Sequence, residues 1–318
     1  MAKILITGGA GFIGSNLAKE LHQTNDIFIV DDLSMGSKEN IQNLSNVTFY
    51  HENVLNQEFI EELLVKENFD YIFHLAAVAS VADSIERPIE THAVNFTSTL
   101  NIIECLRQMK NRQLKRLVFA SSAAVYGDEK TLPKEEFSVI KPLTPYAIDK
   151  FASEKYVLAY NNLYGVPTSA VRFFNVFGPN QNPASPYSGV ISIIVDRFDK
   201  KLKGEESNFT LFGDGMQSRD FIYVKDVVQA LEKVAYSTDS LGNVYNVGNG
   251  IETTLNELIE KVSNILDEVI TINKEGERDG DIKQSFANIE QLKSLGFSAN
   301  YSVEEGLREY LGSLNLLK

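Results

Sequence analysis

Cysteine is almost absent from these 318 residues. Cys105 stands alone, so no intrachain disulfide can form. It sits in the apolar stripe Ile102, Ile103, Leu106 and reads as a buried core thiol. Histidines number four and are scattered, without paired ligand spacing, so no metal site is expected. No run of 18 apolar residues occurs, which excludes a membrane-spanning helix. The chain enters a strand pattern at Lys3 with no apolar leader, and the cytoplasm is the expected compartment. Positive charge is short as well: 30 Lys and Arg against 43 Asp and Glu leave a net charge of −13. Phosphates of nucleic acid or of an anionic membrane would be repelled by such a surface. One or two buried arginines can still hold a small anion. Repeats and low-complexity segments are also missing, and the length suffices for one large or two modest domains.

The chain is organised around residues 3–14. Ile4, Leu5 and Ile6 form an apolar run, as in a strand buried on both faces. Gly8, Gly11 and Gly14 follow, and then a helix-compatible stretch to His22. The first glycine permits a tight turn, the second a close approach of backbone to phosphate, and the third close packing of helix on strand. Free N–H groups at the helix start suit a pyrophosphate. A second apolar run, 27–30, ends in Asp31, placed to accept hydrogen bonds from a ribose 2′-OH. The stretch predicts a dinucleotide site.

Strand and helix patterns then alternate. Strands are expected at 47–50, 71–75, 116–120 and 168–173, and helices at 57–66, 88–109 and 146–164. This rhythm predicts an α/β fold with a doubly wound parallel sheet of Rossmann type, whose ligands lie beyond the carboxyl ends of its strands. After the turn-rich segment 178–186 the rhythm breaks. Short strands at 209–212, 221–224 and 244–247, with helices at 190–202, 227–235, 255–266 and 303–311, predict a smaller C-terminal domain. The expected division is 1–174 for the dinucleotide and 175–318 for the substrate, with part of 217–249 returning to the first sheet.

Tyr146 and Lys150 have the i, i+4 spacing that places two side chains on one helix face, and Pro145 marks the helix start. Tyr126 and Lys130 share the spacing, but Gly127 disfavours a helix there. A free phenol titrates near ~10, and a neighbouring ammonium lowers that value, so Tyr146 can serve as a general base toward a substrate hydroxyl. Ser121 and Ser122 end the strand 117–120 and can bond the same hydroxyl.

Together, the N-terminal glycine motif, Ser121-Ser122-Ala123-Ala124-Val125-Tyr126-Gly127, Pro145 through Lys150, and Arg172-Phe173-Phe174-Asn175-Val176-Phe177-Gly178-Pro179 resemble the extended short-chain dehydrogenase/reductase superfamily. Within it the chain is similar to the nucleotide-sugar 4-epimerases, from Lys3 to about Leu311. The resemblance implies NAD as cofactor, a UDP-sugar as substrate and a homodimer built on helices 88–109 and 146–164. Ser122 and Tyr146 would be the proton-transfer pair, and Lys150 would bind the nicotinamide ribose. Gly8, Gly11, Phe12, Ile13, Gly14, Asp31, Asn53, Val54, Leu75, Ala76, Ala77, Asn95 and Phe173 would complete the NAD site. Ser80, Val81, Asn175, Arg219, Arg278, Asp281 and Ser285 would line the substrate site, with the two arginines on the diphosphate. In the resembling epimerases a tyrosine at the place of Ser285 restricts the pocket to plain hexoses. Serine leaves room for an N-acetyl group, which implies UDP-GlcNAc and UDP-GalNAc, with UDP-glucose and UDP-galactose as slower substrates. Two positions depart from the pattern: Asn53 replaces a common aspartate at the adenine, and Ser98 a common glycine. A 4,6-dehydratase or UDP-glucuronate decarboxylase on the same scaffold is the alternative. A dehydratase supplies its acid and base as Asp-Glu where this chain has Ala123-Ala124, which opposes that activity. A non-catalytic NAD-binding protein would not require Ser122, Tyr146 and Lys150 together.

Overall fold

A computed structural model describes residues 1–181, 189–277 and 282–317. The first half alternates strand and helix: β1 (Lys3–Thr7), α1 (Phe12–Leu21), β2 (Asp26–Asp31), β3 (Val47–His51), α2 (Gln57–Glu67) and β4 (Tyr71–His74). Two short helices, α3 (Val81–Glu86) and α4 (Pro88–His92), lead into α5 (Ser98–Gln108), followed by β5 (Arg116–Ser122), α6 (Pro145–Tyr164) and β6 (Thr168–Phe173). The second half contains β7 (Asn175–Phe177), α7 (Val190–Leu202), β8 (Asn208–Phe212), β9 (Ser218–Tyr223), α8 (Val224–Tyr236), β10 (Val244–Val247), β11 (Glu252–Thr254), α9 (Leu255–Leu266), β12 (Thr271–Glu275), β13 (Gln284–Ser285), α10 (Glu290–Ser294) and α11 (Val303–Ser313).

Seven parallel strands form the main sheet in the order β10-β6-β5-β4-β1-β2-β3. Its two faces follow from strand alternation. Ile4 and Ile6 of β1 pack with Leu17 and Leu21 of α1 and with Val227 and Leu231 of α8. Leu5, between them, enters the opposite core with Leu63 of α2, Ile102 and Leu106 of α5 and Val157 of α6. Strand order reverses between β1 and β4, which opens the crevice where doubly wound sheets bind ligands. Cys105 lies half-buried at the edge of the second core, where burial pushes its thiol up to about 11 and leaves it unreactive.

A third core joins Phe198 of α7, Leu211 of β8, Leu258 of α9 and Leu307 of α11. Over it lies a small sheet ordered β11-β9-β13, with β7 also paired to β9. The strands flanking Gly213-Asp214-Gly215 do not pair with each other: β8 pairs with β12. The stretch 88–108 is helical throughout but not uniform, since 93–97 forms a π turn between α4 and α5. Ser98 closes that turn, and its hydroxyl donates to the Val94 carbonyl at 2.6 Å, so the residue in place of glycine is satisfied within its own helix. Among the described residues no helix is long and apolar enough to cross a membrane.

Candidate active site

The glycine-rich loop is built from contacts that only glycine permits at its two ends. Gly8 has φ +70°, and a β-carbon there would lie 2.8 Å from the Ala76 nitrogen. A β-carbon on Gly14 would press into the Gly8 carbonyl. Leu75 and Ala76 are thereby held against the loop, and the Leu75 N–H bonds the Thr7 carbonyl at 3.1 Å. Gly11 caps α1 without any side-chain acceptor, so the N–H groups of the first turn at Phe12 and Ile13 are left without a side-chain cap.

Asp31 closes one end of this loop. Its carboxylate accepts the Ala10 N–H at 2.9 Å and the Leu33 N–H at 2.8 Å. Burial holds its carboxyl above the usual range, opposed by these backbone donors. Leu33 adopts a left-handed φ of +59°, which the Asp31 bond helps to maintain. The Asn53 amide donates to Asp32 at 2.8 Å and its oxygen accepts the Leu55 N–H, while Val54 is buried behind it. Lys38, the cation nearest Asp31 in sequence, stands 5.9 Å from the Phe49 ring centroid.

Asn95 lies in the π turn and braces the far side of the cleft. Its amide bonds the Val78 carbonyl and its oxygen accepts the Val78 N–H, fixing the loop that contains Ala76 and Ala77. The sequence reading places Asn95 at the NAD site, and here one donor and one acceptor of its amide go to Val78. Ser80 is buried with its hydroxyl capping α3, which leaves Val81 as the exposed member of the pair.

At the carboxyl end of β5, Ser122 and Tyr146 are both half-buried, and the Ser122 hydroxyl accepts the Ala124 N–H at 3.2 Å. Ser121 differs: it is buried and donates to Glu154 at 2.7 Å, whereas Ser122 keeps partial exposure. Lys150 donates to the Ala120 carbonyl at 2.8 Å. Burial pulls its ammonium down to about 7, with Asp149 acting in the other direction. Burial raises the Tyr146 phenol, and the Ser122 hydroxyl acts in the other direction. Tyr126, the other tyrosine with matching spacing, is buried against Arg172 and Asn246 and takes no part in the cleft.

The small sheet collects residues far apart in sequence. Arg219 on β9 is the register partner of Ser285 on β13, and Asn175 on β7 is the partner of Phe221. Phe173 pairs with Ser122 across β6 and β5, so Asn175 follows directly from the carboxyl end of β6. The sheet is pinned by Asp220, fully buried, which accepts the N–H groups of Asn249, Gly250 and Ala287. No motif had marked Asp220. Arg278 and Asp281 lie outside the described residues. Among those described, no group of three or more His, Cys, Asp or Glu is placed to hold a metal ion.

The NAD dependent epimerase/dehydratase family model matches residues 4–248. The chain belongs to this family. A putative UDP-glucose 4-epimerase of Methanocaldococcus jannaschii is 35% identical over 308 residues, 96% of each chain. Among solved structures, a UDP-N-acetylglucosamine 4-epimerase from Methanobrevibacter ruminantium, in complex with UDP-N-acetylmuramic acid, superposes with a TM-score of 0.91 at 36% identity, covering 99% of this chain and 98% of the other. A UDP-glucose 4-epimerase from Thermotoga maritima, with UDP-glucose, gives 0.89 at 33% identity and 98% coverage of both. The cofactor of this epimerase-family member is NAD. The narrow glycine loop, the uncapped start of α1 and the carboxylate of Asp31 fit a dinucleotide.

Proposed function

We propose that the protein inverts C4 of a UDP-sugar, with UDP-N-acetylglucosamine and UDP-N-acetylgalactosamine as its natural pair. The observation that carries the chemistry is the placing of Tyr146 and the buried Lys150 one turn apart on α6, with Lys150 bonded to the Ala120 carbonyl at the carboxyl end of the strand that bears Ser122. When bound, NAD supplies hydride acceptance and return at C4. Tyr146 takes the proton of the 4-hydroxyl, and Ser122 bonds that hydroxyl and steadies the phenolate. Lys150 holds the nicotinamide ribose. Its ammonium, with the positive charge of the oxidised cofactor, favours the ionised phenol that burial alone disfavours. Asp31 contacts the adenosine ribose, and Asn53 and Val54 border the adenine. The backbone at Phe12 and Ile13 meets the pyrophosphate. Arg219 and Arg278 clamp the substrate diphosphate, while Asn175 and Val81 contact the substrate.

The preference for an N-acetyl sugar rests on Ser285. It is half-buried, adjacent to Arg219 in the sheet, and lacks the ring that would fill space beside the 2-substituent. Likeness to the UDP-N-acetylglucosamine 4-epimerase supports the same choice. Ala123 and Ala124, which open a 3₁₀ turn after Ser122, offer no acid or base for elimination and so oppose the dehydratase reading. The working form is a homodimer across α4 and α6, supported by the exposed Ile89 and Ile148.

Purified wild type is expected to interconvert UDP-N-acetylglucosamine and UDP-N-acetylgalactosamine from either side. Ser285→Tyr is expected to lose that conversion while keeping turnover of UDP-glucose or UDP-galactose, both followed by chromatography. Wild type acting only on the plain hexoses would contradict the assignment.

A further inference from the structure

We propose that Ser121 and Glu154 form a positioning clamp that fixes Ser122 against Tyr146. The inference rests on the roles given above to Ser122 and Tyr146. On α6, residues 146, 150 and 154 recur at the spacing that aligns them on one helix face. Two of them bond consecutive residues at the end of β5. Lys150 bonds the Ala120 carbonyl, Glu154 accepts the Ser121 hydroxyl at 2.7 Å, and Tyr146 lies one turn before Lys150 on the same face. Helix and strand are therefore locked in one axial register, where a slip of one helical turn would be about 5.4 Å.

Glu154 is itself immobilised. Arg172 grips both of its oxygens, Nε at 2.9 Å and Nη2 at 2.7 Å, with both residues essentially inaccessible to solvent. Arg172 is the register partner of Ser121 on β6, so the clamp spans two strands and the helix. The remaining Arg172 donor goes to the Tyr126 hydroxyl and the Glu136 carbonyl, at 2.8 Å and 2.9 Å. A buried ion pair is weak support for stability, because desolvation offsets its attraction. What this pair does supply is a fixed carboxylate at the base of the catalytic strand. Ser121, one residue from Ser122, transmits that position to the cleft.

Ser121→Ala removes one hydroxyl and leaves Glu154 paired with Arg172, so the fold is retained. The Tyr146 titration, read by ultraviolet difference against a Tyr146→Phe background, is the deciding measurement. Loosening Ser122 should move that titration upward in Ser121→Ala. On UDP-sugars kcat should fall roughly 10- to 100-fold with KM changed less than about twofold, because the error is one of alignment. A wild-type Tyr146 titration in Ser121→Ala overturns the clamp, whatever happens to kcat or to the melting temperature. If the wild type epimerises no UDP-sugar, the functional reading fails, and the titration still decides the clamp by itself.

Discussion

At the scale of the residue, the chemistry depends on how Tyr146 loses a proton. Tyr146→Phe removes one hydroxyl and leaves the helix face and the Lys150–Ala120 bond in place. Turnover is expected to fall by ~10²–10⁴-fold, with folding and NAD binding near normal by circular dichroism and calorimetry. Near-normal turnover would move proton transfer to Ser122 or a relayed water. Tyr146 and Lys150 were legible in the sequence because helical spacing behind a proline is a local signal. Their partners were less so. Lys150 bonds a main-chain carbonyl, and any residue at 120 would present one. Ser121 and Ser122 looked equivalent until the strand end turned one inward to Glu154. Asn95 stood out only through the resemblance. Its grip on Val78 depends on the π turn, which no periodicity in 88–108 announces.

At the scale of the element, long amphipathic segments were the readable part. Buried strands with apolar runs and helices with apolar stripes carry their own period, so the seven-stranded sheet could be anticipated up to β6. The strands β11, β12 and β13 span 3, 5 and 2 residues. Such pieces are too short for a pattern, and β12 is exposed along its length, so pairing decides them and not composition. The Arg219–Ser285 adjacency could not be read before that pairing was known. Helices α4 and α6 present Ile89 at 84% exposure and Ile148 at 51%. Ile89→Glu places a charge in the proposed dimer contact and should shift sedimentation toward the monomer with helix content unchanged. An unchanged dimer would place the subunit contact elsewhere.

At the scale of the whole molecule, acid stability and catalysis report on the same buried cleft. His74 is fully buried between the hydroxyls of Thr7 and Thr99, at 2.7 and 3.0 Å, next to the glycine loop. Burial, aided by the Lys150 charge, depresses it to about 3. The unfolded chain therefore binds the extra proton between about 6.5 and 3, and stability falls as pH drops through that window. Each pH unit there costs about 1.4 kcal/mol. Asp220 works in the opposite sense. Burial raises it to about 6, so its contribution is present below the unfolded value and lost as pH rises through about 6. The difference between wild type and His74→Gln isolates the histidine. Urea unfolding across pH 4–7 should show wild type losing stability relative to His74→Gln as pH falls, and a constant difference would mean that His74 binds its proton equally well folded and unfolded. The central claim, that hydride leaves C4 and returns to it within a closed cleft, is tested most directly with UDP-N-acetylglucosamine deuterated at C4. The UDP-N-acetylgalactosamine formed should retain deuterium at C4, with no stoichiometric reduced NAD released. Loss of the label to water, or a product other than the C4 epimer, would contradict it.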